Sequence, residues 1–171
     1  MVFEFSRYKL ELKWGVILGL SVSLWIMVEF FLGFHTTRMN YGIYSGYVAS
    51  LIPIVCLWYG IKEVKKTFPH MRFLQGFASG LCMAFFAAFI VTGFLYVYNV
   101  YINPSWMENG YQFVASQLNA SGLDQTHVAT QLDELRMLYT LNGQLFAGFL
   151  GMLVQGLIIS LAFGYMQRYR S

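Results

Sequence analysis

The chain predicts an all-α integral membrane protein, a four-helix bundle with both termini cytoplasmic and a short helical cap facing outward between spans three and four. Three observations carry this. Only 11% of the 171 residues are charged and 57% are hydrophobic, whereas an ordinary soluble domain carries about 25% charge. The mean hydropathy is +0.53. Four apolar stretches each reach the roughly 20 helical residues that cross about 30 Å of hydrocarbon, and none shows the alternating pattern of barrel strands.

The first stretch covers residues 14–34, the second 41–61, the third 73–101 and the fourth 141–165. They form one transmembrane domain, 1–171. The third is longer than a span needs, so it should tilt or protrude. The first run is too long for a signal peptide, follows a mixed-charge stretch and lacks a small-residue cleavage site, so it is expected to remain as a span. Pro53 lies mid-span and leaves the Ala49 carbonyl without its helical donor, so a kink is expected there.

Orientation comes from the basic residues in the short flanks. Arg7, Lys9 and Lys13 precede span one. Lys62, Lys65, Lys66 and Arg72 lie between spans two and three, and Arg168 and Arg170 follow span four. Only Arg38 and Arg136 fall on the other side. This asymmetry places both termini in the cytoplasm.

The outward segment, 104–140, opens with Asn103-Pro104, which should end the third helix because proline disfavours a helical predecessor. Met107, Tyr111, Val114 and Leu118 recur at helical spacing, and Val128, Leu132, Leu135 and Tyr139 repeat the pattern after a break at 119–122. Asp124 sits where an N-cap belongs. Two amphipathic helices on the outer membrane face are expected.

Helices in lipid associate by close packing and interhelical hydrogen bonds, because lipid tails are as apolar as leucine. Small residues recur every fourth position in all four spans: Gly15, Gly19 and Ser23; Gly42, Gly46 and Ser50; Gly76, Gly80, Ala84, Ala88 and Thr92; Gly156, Ser160 and Gly164. Internal packing of the bundle is the expected use, with a homodimer seam as the competing one.

The stretch "WIMVEFFLGFH", residues 25–35, puts Glu29 inside an apolar run. Such an acid must be neutral, paired or near an edge. Counted back from Phe34 it lies roughly 7–8 Å from the outer end, with His35 and Arg38 on the same side and Asn99 and several tyrosines at similar depth. The candidate intramembrane polar site is therefore Glu29, His35, Asn99, Gln144 and Gln155. Gln155 is the deepest of these and is expected to hydrogen-bond another helix.

Signals for enzymes, metals and nucleic acid are poor. The three histidines fall on different loops or sides, and no Ser-His-Asp, HExxH, Walker or GxGxxG arrangement exists. Cys56 and Cys82 sit in apolar runs and read as packing residues. The net charge of +3 forms no basic stripe with stacking aromatics, so no nucleic-acid partner is expected. No catalytic, cofactor or metal residue is assigned.

The order of features resembles a known family. Glu29 in a tryptophan-led span is followed by "LGFH", span two ends in "YGIKEVKK", span three opens with "FLQGFASG", and "NPSWMENG" comes after it. This is similar, over nearly the whole chain, to the small membrane proteins of Bacteroidota grouped as DUF4199. The resemblance implies a four-span bacterial inner-membrane protein and no chemistry. The expected function is a non-enzymatic accessory or assembly subunit whose partners are membrane lipids and a membrane protein or a second copy. The alternative is a small transporter or lipid-handling protein with an outward polar cavity near Glu29, Gln144 and Gln155.

Overall fold

The computed structural model describes the backbone of residues 2–167 and the side chains of 7–42 and 44–167. Arg168 and Arg170, counted above in the charge asymmetry, lie outside the described residues. Seven α-helices follow one another: α1 Val2–Phe31, α2 Met39–Ala49, α3 Leu51–Thr67, α4 Phe73–Val97, α5 Trp106–Ala120, α6 Gln125–Leu138 and α7 Leu141–Gln167. No strand occurs among the described residues. Four segments are long and apolar enough to cross a membrane: Arg7–Phe31, Met39–Thr67, Phe73–Ile102 and Leu141–Gln167. Large apolar side chains such as Leu24, Phe31, Phe89 and Ile158 point outward, as helices surrounded by lipid require. The loop 68–72 and the start of α1 share one end of the bundle, the basic end; α5 and α6 close the other, the cap end.

The core runs along α4. Leu18 of α1, Leu57 and Ile61 of α3, Met83, Ala84, Ala87 and Ala88 of α4 are essentially fully buried. The antiparallel pair α4–α7 meets through small residues from end to end. Gly76 faces Gly164, and a Cβ added to Gly80 would collide with Ser160. A Cβ on Gly156 would strike Ala84. The parallel pair α1–α4 uses the same device: a Cβ at Gly15 would stand 2.6 Å from Phe86 Cβ, and one at Gly19 2.7 Å from Ile90 Cβ. At these positions glycine is required because the neighbouring backbone or Cβ occupies the space of a side chain.

The second span departs from a simple rod. It splits at Ser50 into α2 and α3, which puts Pro53 in the first turn of α3, where its missing N–H costs nothing. The Ala49 carbonyl, the acceptor Pro53 cannot serve, ends α2. The small face Gly42, Gly46 and Ser50 does not pack inside the bundle as expected, since a Cβ on Gly46 would meet nothing within 4 Å.

The third span ends in a π-turn, Tyr98–Ile102, that sequence periodicity does not announce. Its wider ring lets Asn103 N–H reach the Tyr98 carbonyl at 2.8 Å, and Asn103, at φ −138° and ψ 71°, has left the helical region that Pro104 disfavours for it. Beyond it, α5 and α6 form the cap. Asp124 caps α6, accepting from Thr126 N–H at 3.2 Å and from the Thr126 hydroxyl. The hydroxyl bond holds its carboxyl below the usual aspartate range. Gly110 admits the Tyr139 ring between α5 and the end of α6.

Two glycine classes therefore behave differently under substitution. Gly80→Leu is expected to lower the stability of the detergent-solubilised protein by about 1–3 kcal/mol or abolish folding, since overpacking a tight core costs that much. Gly46→Ala and Gly151→Ala, with open space at both Cβ positions, should leave the unfolding midpoint unchanged. Thermal unfolding followed by circular dichroism distinguishes them, and equal sensitivity of both classes would contradict this packing.

Candidate functional site

At the cap end a single polar cluster joins α1, α2, the π-turn and α5. Glu29 lies in the last turn of α1, which ends at Phe31 rather than at Phe34 as expected. The acid is thus closer to its helix end, roughly 3 Å from it at 1.5 Å per residue. Both of its oxygens are engaged. Trp25 Nε1 donates to Oε1 at 3.0 Å and Ser45 Oγ donates to the same oxygen at 2.6 Å. His35 Nε2 stands 3.4 Å from Oε2.

The loop that carries His35 back toward Glu29 turns at Gly33, whose φ of 78° lies in the left-handed region that glycine adopts without strain. His35 is buried. Its Nδ1 is 2.5 Å from the Tyr98 hydroxyl, which also accepts from Asn103 Nδ2 at 3.0 Å. Ser105 Oγ donates to Asn103 Oδ1 at 3.1 Å, and the Trp106 ring packs against the imidazole, tilted by 39° with centroids 4.2 Å apart.

The proton positions follow from donor and acceptor capacity. Asn103 Nδ2 can only donate, so the Tyr98 oxygen accepts and the phenol proton is free to go to His35 Nδ1. That leaves the imidazole proton on Nε2, directed at Glu29. In this arrangement every member of the cluster has a hydrogen-bond partner.

The sequence-predicted polar residues do not form one site. Glu29 and His35 meet. Arg38 is exposed and pairs with neither. Asn99 is buried but donates to Leu95 O one turn back at 2.8 Å, so it belongs to its own helix end. Gln144 donates to Leu138 O at 2.9 Å and ties the α6–α7 turn; it faces no cavity with Glu29. Gln155, expected to bond another helix, has no hydrogen-bond partner among the described residues and is exposed on α7. There it lines a lateral groove of about 280 Å³ with Gly46, Ala49 and Ser50 on one side and Gly151 on its own. The helix-packing residues Gly76, Gly80, Ala84, Ala88 and Gly156 are all buried along the α4 core.

Sequence reasoning missed two things. Ser45 and Trp25, the nearest donors to Glu29, carry no signal of their own, although Trp25 and Glu29 are four apart on one helix. It also assigned no role to Glu11, which precedes the first stretch at residues 14–34 and is fully buried. Arg7 Nε pairs with it at 2.7 Å, and the Cys82 thiol lies within hydrogen-bond reach. Nearby, Lys13 Nζ and Trp14 Nε1 bond Glu63 at 2.9 and 2.5 Å and fasten α1 to α3. The Arg7–Glu11 spacing is legible as a helical pair; its burial depends on α4 rising beside it. Among the described residues no group of three or more His, Cys, Asp or Glu could hold a metal.

Chemically, the cap-end cluster is a clamp: four separate segments converge on Glu29, His35 and Tyr98. Tyr98→Phe strips Asn103 and His35 of a buried partner and should cost about 1–3 kcal/mol, read as a fall in thermal midpoint in detergent. A Tyr98→Phe protein as stable as the parent would show that the cluster bears no load.

No curated protein and no solved structure matches the chain. The model of a family described as a protein of unknown function, DUF4199, matches residues 13–168, and the chain belongs to that family.

Proposed function

We propose that the protein is a non-catalytic accessory or assembly subunit of the bacterial inner membrane that receives a transmembrane helix of another membrane protein in the groove between α2 and α7. One observation carries the reading. Gln155 presents an amide at mid-span with no hydrogen-bond partner among the described residues, and an unpaired amide in hydrocarbon costs several kcal/mol. Around it Gly46 and Gly151 leave room for a backbone, with nothing within 4 Å of either Cβ position. A helix that offers a hydrogen-bonding side chain meets both needs, as small-residue faces with one polar group commonly do in bilayers.

The transport alternative would want Glu29, Gln144 and Gln155 around one hydrated cavity. They instead serve a clamp, a turn and a lateral groove, and the core between α1, α4 and α7 is packed with Leu18, Met83, Ala84 and Ala87. Against catalysis as the role stands the clamp's own bonding, which leaves neither Glu29 oxygen open to a substrate.

The basic end is assigned to the cytoplasm by its excess of Lys and Arg. A cysteine at Lys65 should accordingly react with an impermeant maleimide only after cells are opened, whereas labelling of intact cells would invert the topology. For the groove, a photo-crosslinking amino acid at Gly151 in the native membrane should give one discrete protein adduct, while the same group at the lipid-facing Ile158 should not. Gly46→Leu, which fills the groove, should remove that adduct. If position 151 yields only lipid adducts, as position 158 does, the subunit reading fails.

A further inference from the structure

The cap leaves a second cavity that the helix-docking reading does not use. Trp106 on His35 pins the start of α5, and the Tyr139 ring against Gly110 pins its middle to the end of α6. The half of α5 beyond Gly110 then runs above α2 without closing on it. Between them lies a space of about 600 Å³, within the roughly 300–1,000 Å³ typical of small-ligand sites.

Its walls are of two kinds. Phe113, Val114 and Leu118 on the underside of α5 supply an apolar surface. Asn40, Tyr44 and Tyr47 from α2 and Gln117 from α5 supply two amides and two phenols. None of these four has a hydrogen-bond partner among the described residues. No Lys, Arg, Asp or Glu lines the space. The four polar side chains are exposed along the walls of an open cleft; the site therefore offers neutral donors and acceptors, and it lacks the cation that a phosphate or a carboxylate would call for. It also opens at the height where the apolar spans meet the cap, which is the depth of a lipid's glycerol and headgroup.

We infer that this cavity binds an uncharged, hydroxylated lipid headgroup, of the glycosyl-diacylglycerol class, from the leaflet on the cap side. Hydroxyls of the headgroup bond Asn40, Gln117 and the two phenols, and the first part of the acyl chains lies against Phe113, Val114 and Leu118. The site is independent of the helix groove, which lies on a different face of α2.

The test uses the full-length protein in nanodiscs that contain glucosyl-diacylglycerol and phosphatidylglycerol of identical acyl chains, followed by gentle extraction and mass spectrometry of the retained lipid. The glycolipid should be retained about tenfold over phosphatidylglycerol, which corresponds to about 1.4 kcal/mol. Val114→Trp, which fills the cavity, should abolish that preference. Gln117→Leu, at an exposed position, should weaken it about fivefold, the worth of roughly one hydrogen bond, with an unchanged thermal midpoint. Equal retention of both lipids, a preference for phosphatidylglycerol, or a glycolipid preference untouched by Gln117→Leu would each overturn the assignment.

Discussion

The close approach of α4 to its neighbours is the constraint on which the rest of this structure depends. In lipid there is no hydrophobic gain in bringing two apolar helices together, so the contact must come from dispersion at short range and from hydrogen bonds. Gly76, Gly80 and Ala84 let α7 run at backbone distance along α4, and Gly15 and Gly19 do the same for α1. Once three helices are locked at that spacing there is little volume left for polar side chains in the middle of the bundle. The larger buried polar side chains, Glu11, His35, Asn99 and Asn103, lie toward its two ends, and the small hydroxyls of Ser23, Ser79 and Ser160 are buried between the helices.

This explains the placement of the carboxylates on α1. Glu11 and Glu29 are eighteen residues apart, five helical turns, so both lie on the same face at a separation of roughly 27 Å. One sits with Arg7 and Cys82 at the basic end, the other with His35 and Ser45 at the cap end. The question Glu29 raises in the sequence thus has a structural answer. It is paired, doubly hydrogen-bonded on one oxygen, and one turn from its helix end. Its burden is to hold together segments that lipid would not hold.

Where packing relaxes, openings appear, and both are consequences of α2. Pro53 divides the second span, and the short half-helix that results is tied to the bundle chiefly through Ser45 on Glu29. One of its faces looks across a groove at Gln155 and the other looks up at α5. Both spaces have α2 as one wall, so the features with the most functional promise lie beside the half-helix that ends at Ser50.

How much of this was legible beforehand divides along physical lines. The spans, their helicity, the N-cap at Asp124, the helix stop before Pro104 and the kink near Pro53 follow from length, hydropathy and local backbone rules, and they stand in the structure. The partners of Glu29 were legible only in part. His35 could be named because it follows closely along the chain, while Ser45 and the bridging Tyr98 come from elements whose rotation about their own axes no periodicity reports. Gln144 and Gln155 were grouped with Glu29 only as strongly polar side chains in or beside the spans. Polarity does not say which way a side chain points, and here the two amides point to a turn and to a groove.

By itself, then, the chain determined the solvent it needs, the number of crossings and the small-residue faces, because hydropathy and residue size act locally and additively. Tertiary structure alone decided which of those faces found a partner, that Glu11 is buried and that Gln155 is not. Those outcomes depend on the relative rotation and tilt of helices set by contacts many residues apart, above all by how closely α4 and α7 can approach.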